Sequence, residues 1–183
     1  MDAYVDEIYE RSQAYHEELD AMIEKFNAID AKLTLHFTEA KGLKEAIGPE
    51  KAKVADAMMR KSGLESPAEA KNWAKAFDDH LNLLNLLENR AKETSESYKT
   101  LVETIEKAFD RVGKVHGPIP TFQSEKLGKL SEQARNELKS QFQARQQAYS
   151  EEKGKVGRKM DKLFGDFDIA KSEVQGLKDW LGI

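Results

Sequence analysis

The sequence predicts an all-α fold, an elongated antiparallel three-helix coiled-coil bundle with one short capping helix. Apolar residues recur at alternating spacings of four and three, and this seven-residue repeat is typical of helices that supercoil around partner helices. Of the 183 residues, 39% are hydrophobic and 34% are charged, a balance typical of extended helical proteins. Only four prolines occur, so few positions oppose a helix. We therefore expect residues 1–183 to form a single helical domain.

The first long helix is predicted over residues 2–47. Its apolar residues occupy two seam positions of the seven-residue repeat. One seam comprises Val5, Leu19, Phe26, Leu33, Ala40 and Ile47, and the other comprises Ile8, Tyr15, Met22, Ile29, His36 and Leu43. Gly48 and Pro49 are expected to end this helix, because proline lacks a backbone N–H and clashes with the preceding turn.

A short helix is predicted next, over residues 49–61. Leu35 and Phe37 lie off the seams and widen the apolar face just before the expected turn. The short helix is expected to fold over them and cap one end of the bundle.

The second long helix is predicted over residues 67–112. Ser66, Pro67 and Glu69 form a capping box, in which side chains satisfy the first backbone N–H groups of a helix. Gly113 is expected to end the helix. One seam comprises Ala70, Phe77, Leu84, Ala91, Tyr98, Ile105 and Val112, and the other comprises Trp73, His80, Leu87, Thr94, Leu101 and Ala108.

The last long helix is predicted over residues 124–181, after a turn at residues 117–120. Its seam is regular from Val156 to Leu181, but it is polar near the middle, where Gly154 and Gly157 also lower the helix propensity. A continuous helix is favoured because no proline marks a hairpin there. The alternative is a break near residues 150–157, which would produce a four-helix bundle.

A continuous last helix would project beyond its two partners, if those partners end as predicted. Val174, Leu177 and Trp180 would then need another surface to bury them. A second copy of the chain could supply it, which favours a homo-oligomer.

The sequence lacks the residue types and motifs that would indicate a common kind of active site. The chain has no cysteine, which excludes disulfides, zinc–thiolate sites and thiol nucleophiles. Its four histidines lack metal-ligand spacing, and no nucleophile elbow or phosphate-binding loop occurs. Because helices packed side by side are expected to leave surfaces rather than a cavity, we expect a non-enzymatic protein with no cofactor, no metal and no catalytic residue.

Two histidines fall on predicted seams. If the first helix ends at Gly48, His36 and His80 would be neighbours near the same end of the bundle. They would either fix the register by hydrogen bonding or form a pH-sensitive pair.

Two surfaces are candidates for binding a partner. A basic cluster could contact an anionic membrane or an acidic protein, or it could be a solvated helix face. It comprises Lys153, Lys155, Arg158, Lys159 and Lys162. An apolar interface could form from a broad leucine run and the C-terminal tip. It comprises Leu83, Leu86, Leu177, Trp180 and Leu181.

These observations favour a protein–protein interaction or scaffold protein that acts through the faces and ends of a helical rod and self-associates. The alternative is a peripheral binder of anionic membranes. The pattern is similar in outline to spectrin-type repeats and to membrane-binding BAR domains, a likeness of architecture alone. The net charge of −4 disfavours nucleic acid as a partner. Without a basic, apolar leader after Met1 we expect a cytoplasmic protein, with export by another route left open.

Overall fold

The computed structural model contains three long helices that pack against each other, and no strand lies within its described residues. It describes the backbone of residues 2–59, 67–116 and 125–183, and the side chains of residues 7, 9–59, 68–114 and 132–183. Helix α1 is Asp2–Met59, α2 is Pro67–His116 and α3 is Glu125–Leu181. The predicted all-α three-helix bundle is confirmed. Ser66 and the predicted turn at 117–120 lie outside the described residues.

The residues group into two compact units. The first unit is Met1–Asp30 with Glu96–Gly157, and the second is Ala31–Ser95 with Arg158–Ile183. Within each unit α1 and α3 run parallel and α2 runs antiparallel to both, as their side-chain contacts show. The single domain expected for residues 1–183 stays a prediction.

Helix α1 does not end at Gly48 and Pro49. It continues through Pro49 to Met59, so the predicted separate capping helix over 49–61 is wrong. A proline inside a helix costs about 3 kcal/mol. Burial offsets this cost, because Val54 is 0% exposed in the apolar core and burying such a side chain contributes about 1.5–3 kcal/mol.

The exposed apolar residues of α1 are consequently not covered by a returning segment. Leu35 is 56% exposed, and Phe37 is only half-buried. Cover for both was expected from the short helix. Since that segment extends α1 instead, it is not available to fold back over them.

Helix α3 is continuous through residues 150–157, which confirms the favoured prediction and makes the four-helix alternative wrong. The other ends are close to those predicted. Helix α2 begins at Pro67 as expected but extends to His116, so Gly113 lies inside it rather than ending it.

The core of the first unit is rich in aromatic residues. The ring centroid of Phe26 lies 6.0 Å from that of Tyr98 and 6.1 Å from that of Tyr149. Phe109 packs edge-on against Phe142 at 5.5 Å and also lies 5.5 Å from Tyr149. All three helices contribute, so these rings join the helices where the sequence pattern of α3 is least regular.

The core of the second unit includes the extension of α1. Its main cluster consists of Ile47, Val54, Trp73, Phe77, Val174 and Leu181. The extension of α1 past Pro49 therefore covers the end of α3. Val174 and Leu177 are thus covered without a second copy, whereas Trp180 stays 42% exposed. The predicted overhang of α3 is wrong because α1 is longer than its sequence indicates.

Candidate functional site

The sequence-predicted basic cluster is partly engaged within the bundle. In the first unit, the Lys153 ammonium donates to Glu106 Oε1 at 2.9 Å. In the second unit, Lys159 donates to Thr34 Oγ1 at 2.6 Å, and the Lys162 ammonium lies 5.7 Å from the ring centroid of Phe37. Lys155 and Arg158 are exposed. Three of the five cations thus contact residues of neighbouring helices.

The contact at Lys153 belongs to a hydrogen-bonded group of side chains. Tyr149 donates its hydroxyl to Glu106 at 2.9 Å, and the Lys153 ammonium lies 5.5 Å from the centre of the Tyr149 ring. Burial and the bond to Glu106 raise the pKa of Tyr149 to about 12, while Lys153 and Tyr149 lower the pKa of Glu106. The tyrosine therefore stays protonated near neutral pH and joins α2 to α3 as a donor.

The predicted apolar interface divides into two parts. At the C-terminal tip, Leu181 is 8% exposed and Leu177 is half-buried against the core cluster, so they pack inside the second unit. Trp180 is 42% exposed. Leu83 and Leu86 are 48% and 60% exposed, and they present apolar surface to solvent as the sequence predicts.

Leu83 and Leu86 border a shallow groove between α1 and α2 in the second unit. Gly42 and Leu43 form the opposite side of the groove, and Arg90 closes one end. A Cβ atom at Gly42 would meet nothing within 4 Å, so this side is open. We call the exposed face of α2 that contains Asp79, Leu83, Leu86 and Arg90 the α2 stripe; these four residues follow one another at spacings of four, three and four.

A cavity of about 360 Å³ lies between α1 and α3 in the second unit. The expectation of surfaces without a cavity is therefore wrong. Apolar side chains dominate its lining, among them Phe37, Ile47, Leu84, Phe167, Ile169 and Val174. Lys41, Lys44 and Lys51 on α1 also line it, opposite Asp166 and Glu173 on α3.

His80 lies in the lining of this cavity and is only 5% exposed. Burial, and then the nearby Lys51 ammonium, lower the pKa of His80, so its imidazole is neutral near pH 7. Lys51 itself donates to Glu173 across the α1–α3 interface. The cavity thus combines an apolar lining with a polar end at His80 and Lys51.

His36 is not a neighbour of His80. Its Nε2 lies 3.0 Å from Thr94 Oγ1, and its Nδ1 lies 3.8 Å from Glu39 Oε2. Because Thr94 is 14 residues from His80 along α2, the two sites differ in height by about 21 Å. The predicted pair is wrong because α1 continues past Pro49, which shifts its register against α2. His36 instead bonds across the interface, as the register interpretation expected.

His16 is a buried polar residue that the sequence interpretation missed. It is 0% exposed in the first unit, and its Nδ1 lies 3.0 Å from Gln141 Oε1. Arg145 donates to the His16 carbonyl at 3.2 Å and to Asp20 at 2.9 Å. The predicted seam runs through Tyr15, whereas the spacing of three between His16 and Leu19 indicates His16 instead.

The described parts of the chain hold no group of three or more histidines and carboxylates that could bind a metal ion. Over the same residues, none of the helices has a stretch that is both long enough and apolar enough to span a bilayer. A comparison with family models, curated proteins and solved structures finds no significant match.

Proposed function

We propose that this protein is a non-enzymatic helical interaction module that self-associates through the α2 stripe. The observation that supports the proposal is the symmetric arrangement of apolar and charged residues on this face. Leu83 and Leu86 expose 48% and 60% of their surface, and Asp79 and Arg90 flank them at equal spacing. A surface with this arrangement is complementary to a second copy of itself.

The pairing follows from the residue numbers. If α2 lies antiparallel to α2 of a partner copy, with the two-fold axis between residues 84 and 85, Leu83 faces Leu86 of the other copy. The same axis places Asp79 opposite Arg90, twice in the dimer. Lys75 and Glu93 lie farther out along α2, and both are exposed. Their midpoint is residue 84, which is within one residue of the proposed axis. Apolar contacts at the centre and opposite charges around them are typical of specific interfaces.

The apolar centre supplies most of the expected affinity. Four leucines, two from each copy, would move from water into the contact, and a full leucine burial is worth about 1.5–3 kcal/mol. The exposed ion pairs add only about 0.2–1 kcal/mol each. They determine instead which register and which direction the two helices adopt.

The geometry favours this surface over the basic cluster as the partner-binding site. Lys153, Lys159 and Lys162 already contact side chains of α2 or α1, whereas Leu83 and Leu86 have open surface. A membrane-binding function would depend on Lys155 and Arg158.

Sedimentation equilibrium of the full chain tests the proposal. We expect a dimer, and we expect Leu86→Glu to convert it to a folded monomer, with unchanged helical circular dichroism. Ile169→Glu is the matched control, because Ile169 is equally exposed, at 60%, but lies on α3. A wild-type chain that stays monomeric, or a Leu86→Glu variant that stays dimeric, would contradict the proposal.

A charge exchange tests the register. Asp79→Arg alone places arginine opposite arginine, and Arg90→Asp alone places aspartate opposite aspartate, so each variant should dimerise more weakly. A mixture of the two variants restores both opposite-charge pairs and should form heterodimers. Arg90 also contacts Glu39 at 3.5 Å, so the mixture is compared with each variant alone. Heterodimers no stronger than either homodimer would exclude this register.

A further inference from the structure

We propose that the cavity between α1 and α3 in the second unit is a binding site for a small apolar carboxylate, with the carboxylate held at His80 and Lys51. This site is separate from the α2 stripe and does not depend on self-association. The argument rests on the volume of the cavity, the unpaired imidazole in its lining and the charge at its rim.

The cavity exists because two small residues share it. Ala40 on α1 and Ala170 on α3 both line it, whereas adjacent seam positions carry larger side chains such as Leu33 and Phe167. Well-packed bundles fill such positions. The volume of about 360 Å³ lies within the range of small-molecule sites, which is about 300–1,000 Å³.

The cavity extends along the two helices. Its lining residues run from Phe37 to Lys51 on α1 and from Asp166 to Val174 on α3. Fourteen helical residues span about 21 Å. Phe37 lies at the end away from Lys51. Further side chains add apolar surface along the cavity, which suits a hydrocarbon or aromatic body; they are Ile47, Leu84 and Ile169.

The other end provides polar contacts. His80 is 95% buried, since 5% of its surface is exposed, and none of the described residues hydrogen-bonds its imidazole. The imidazole lines the cavity and its ring nitrogens are not sealed from it, so a ligand in the cavity can bond to them. A carboxylate oxygen can accept from the N–H of a neutral imidazole.

The charge at the rim favours an anion. Lys41 is paired with Glu45 at 3.8 Å. Near the imidazole, however, two ammonium groups, those of Lys44 and Lys51, act on the single carboxylate of Glu173, which leaves an excess of one positive charge there. Lys51 donates to Glu173, and Lys44 lies close enough to lower the pKa of Glu173 as well. A monovalent carboxylate beside Lys51 balances this excess, whereas an ammonium group would add to it.

Three probes with the same hydrocarbon chain test the ligand class. Octanoate, octanol and octylammonium are titrated separately into the full chain, and binding is followed by amide chemical shifts. We expect saturable binding of one octanoate per chain, with the largest shifts around His80, and at least tenfold weaker binding of the other two probes. Equal binding of octanol, or no saturable binding of octanoate, would overturn the proposal.

Variants locate the site. His80→Leu removes the imidazole at similar volume, and Lys51→Met removes the charge; each should weaken octanoate binding at least tenfold. Ala170→Leu fills the cavity and should abolish binding. Lys53→Met is the matched control, because Lys53 is exposed on the same helix and does not line the cavity. Thermal unfolding establishes that each variant is folded, and unchanged affinity in both His80→Leu and Lys51→Met would exclude this site.

Discussion

At the scale of single residues, Gly157 shows how a packing requirement can resemble flexibility in the sequence. A Cβ atom built on Gly157 would lie 3.0 Å from the Tyr98 hydroxyl oxygen. That hydroxyl donates to the Lys153 carbonyl at 2.9 Å, so it cannot withdraw without losing the bond. The glycine that lowers helix propensity in the polar part of α3 therefore makes room for a side chain of α2.

This contact predicts opposite responses at two glycines of α3. Gly165→Ala should raise the free energy of unfolding by up to about 1 kcal/mol, because alanine favours the helix and a Cβ meets nothing within 4 Å. For Gly157→Ala the change in the free energy of unfolding should be about 1 kcal/mol less favourable than for Gly165→Ala, because the added Cβ displaces Tyr98. Urea unfolding measures both. Tyr98→Phe in the Gly157→Ala background should recover part of the difference, and equal gains at the two glycines would refute the explanation.

Two buried histidines predict a pH-dependent stability. Burial, the largest cause, lowers the pKa of both His16 and His80 from the ordinary value of 6.5. The unfolded chain then binds protons that the folded chain does not, so stability is complete above pH 6.5 and falls as the pH decreases below it. Urea unfolding at about pH 7.5 and about pH 5.5 should show this loss.

The matched test is the double variant His16→Gln and His80→Leu, which should flatten the pH dependence over that range. Glu106 and Glu173 do not interfere, because their lowered pKa values confine their contribution to more acidic conditions. An unchanged pH dependence in the double variant would assign it to other groups.

At the scale of the helices, the seam of α2 was fully predictable and the end of α1 was not. The predicted seam residues from Trp73 to Val112 are buried or half-buried, because a long regular repeat leaves one face apolar. The end of α1 was misplaced because Gly48 and Pro49 are local signals for a break. The burial of Val54 among residues of α2 and α3 outweighs them, and no local signal reports it.

Pro49 therefore predicts a stabilising substitution. Pro49→Ala should raise the free energy of unfolding by about 1–3 kcal/mol, because it restores a backbone donor and removes a clash inside a continuous helix. Pro67→Ala is the control, since Pro67 is the first residue of α2, where proline is favourable. Thermal unfolding compares the two. A loss of stability in Pro49→Ala would indicate that α1 is interrupted there.

At the scale of the whole molecule, self-association through the α2 stripe predicts that stability depends on protein concentration. Dimerisation stabilises only the folded chain, so the midpoint of thermal unfolding should rise with concentration. Leu86→Glu should remove this dependence without lowering the midpoint at the lowest concentration. A wild-type midpoint that is independent of concentration would argue against the dimer.

The sequence by itself determined the helical class, the seam of α2, the continuity of α3 and the exposure of Leu83 and Leu86. The helical class, the seam of α2 and the exposure of the two leucines follow from the periodicity of apolar residues within one helix, and the continuity of α3 follows from the absence of proline there; both are local properties of the chain. The tertiary structure alone decided the length of α1, and with it the separation of His36 from His80 and the covering of Val174. It also decided that Ala40 and Ala170 line one cavity, because which residues of different helices meet depends on register. Register is fixed by the packing of all three helices together, and no single stretch of the chain contains that information.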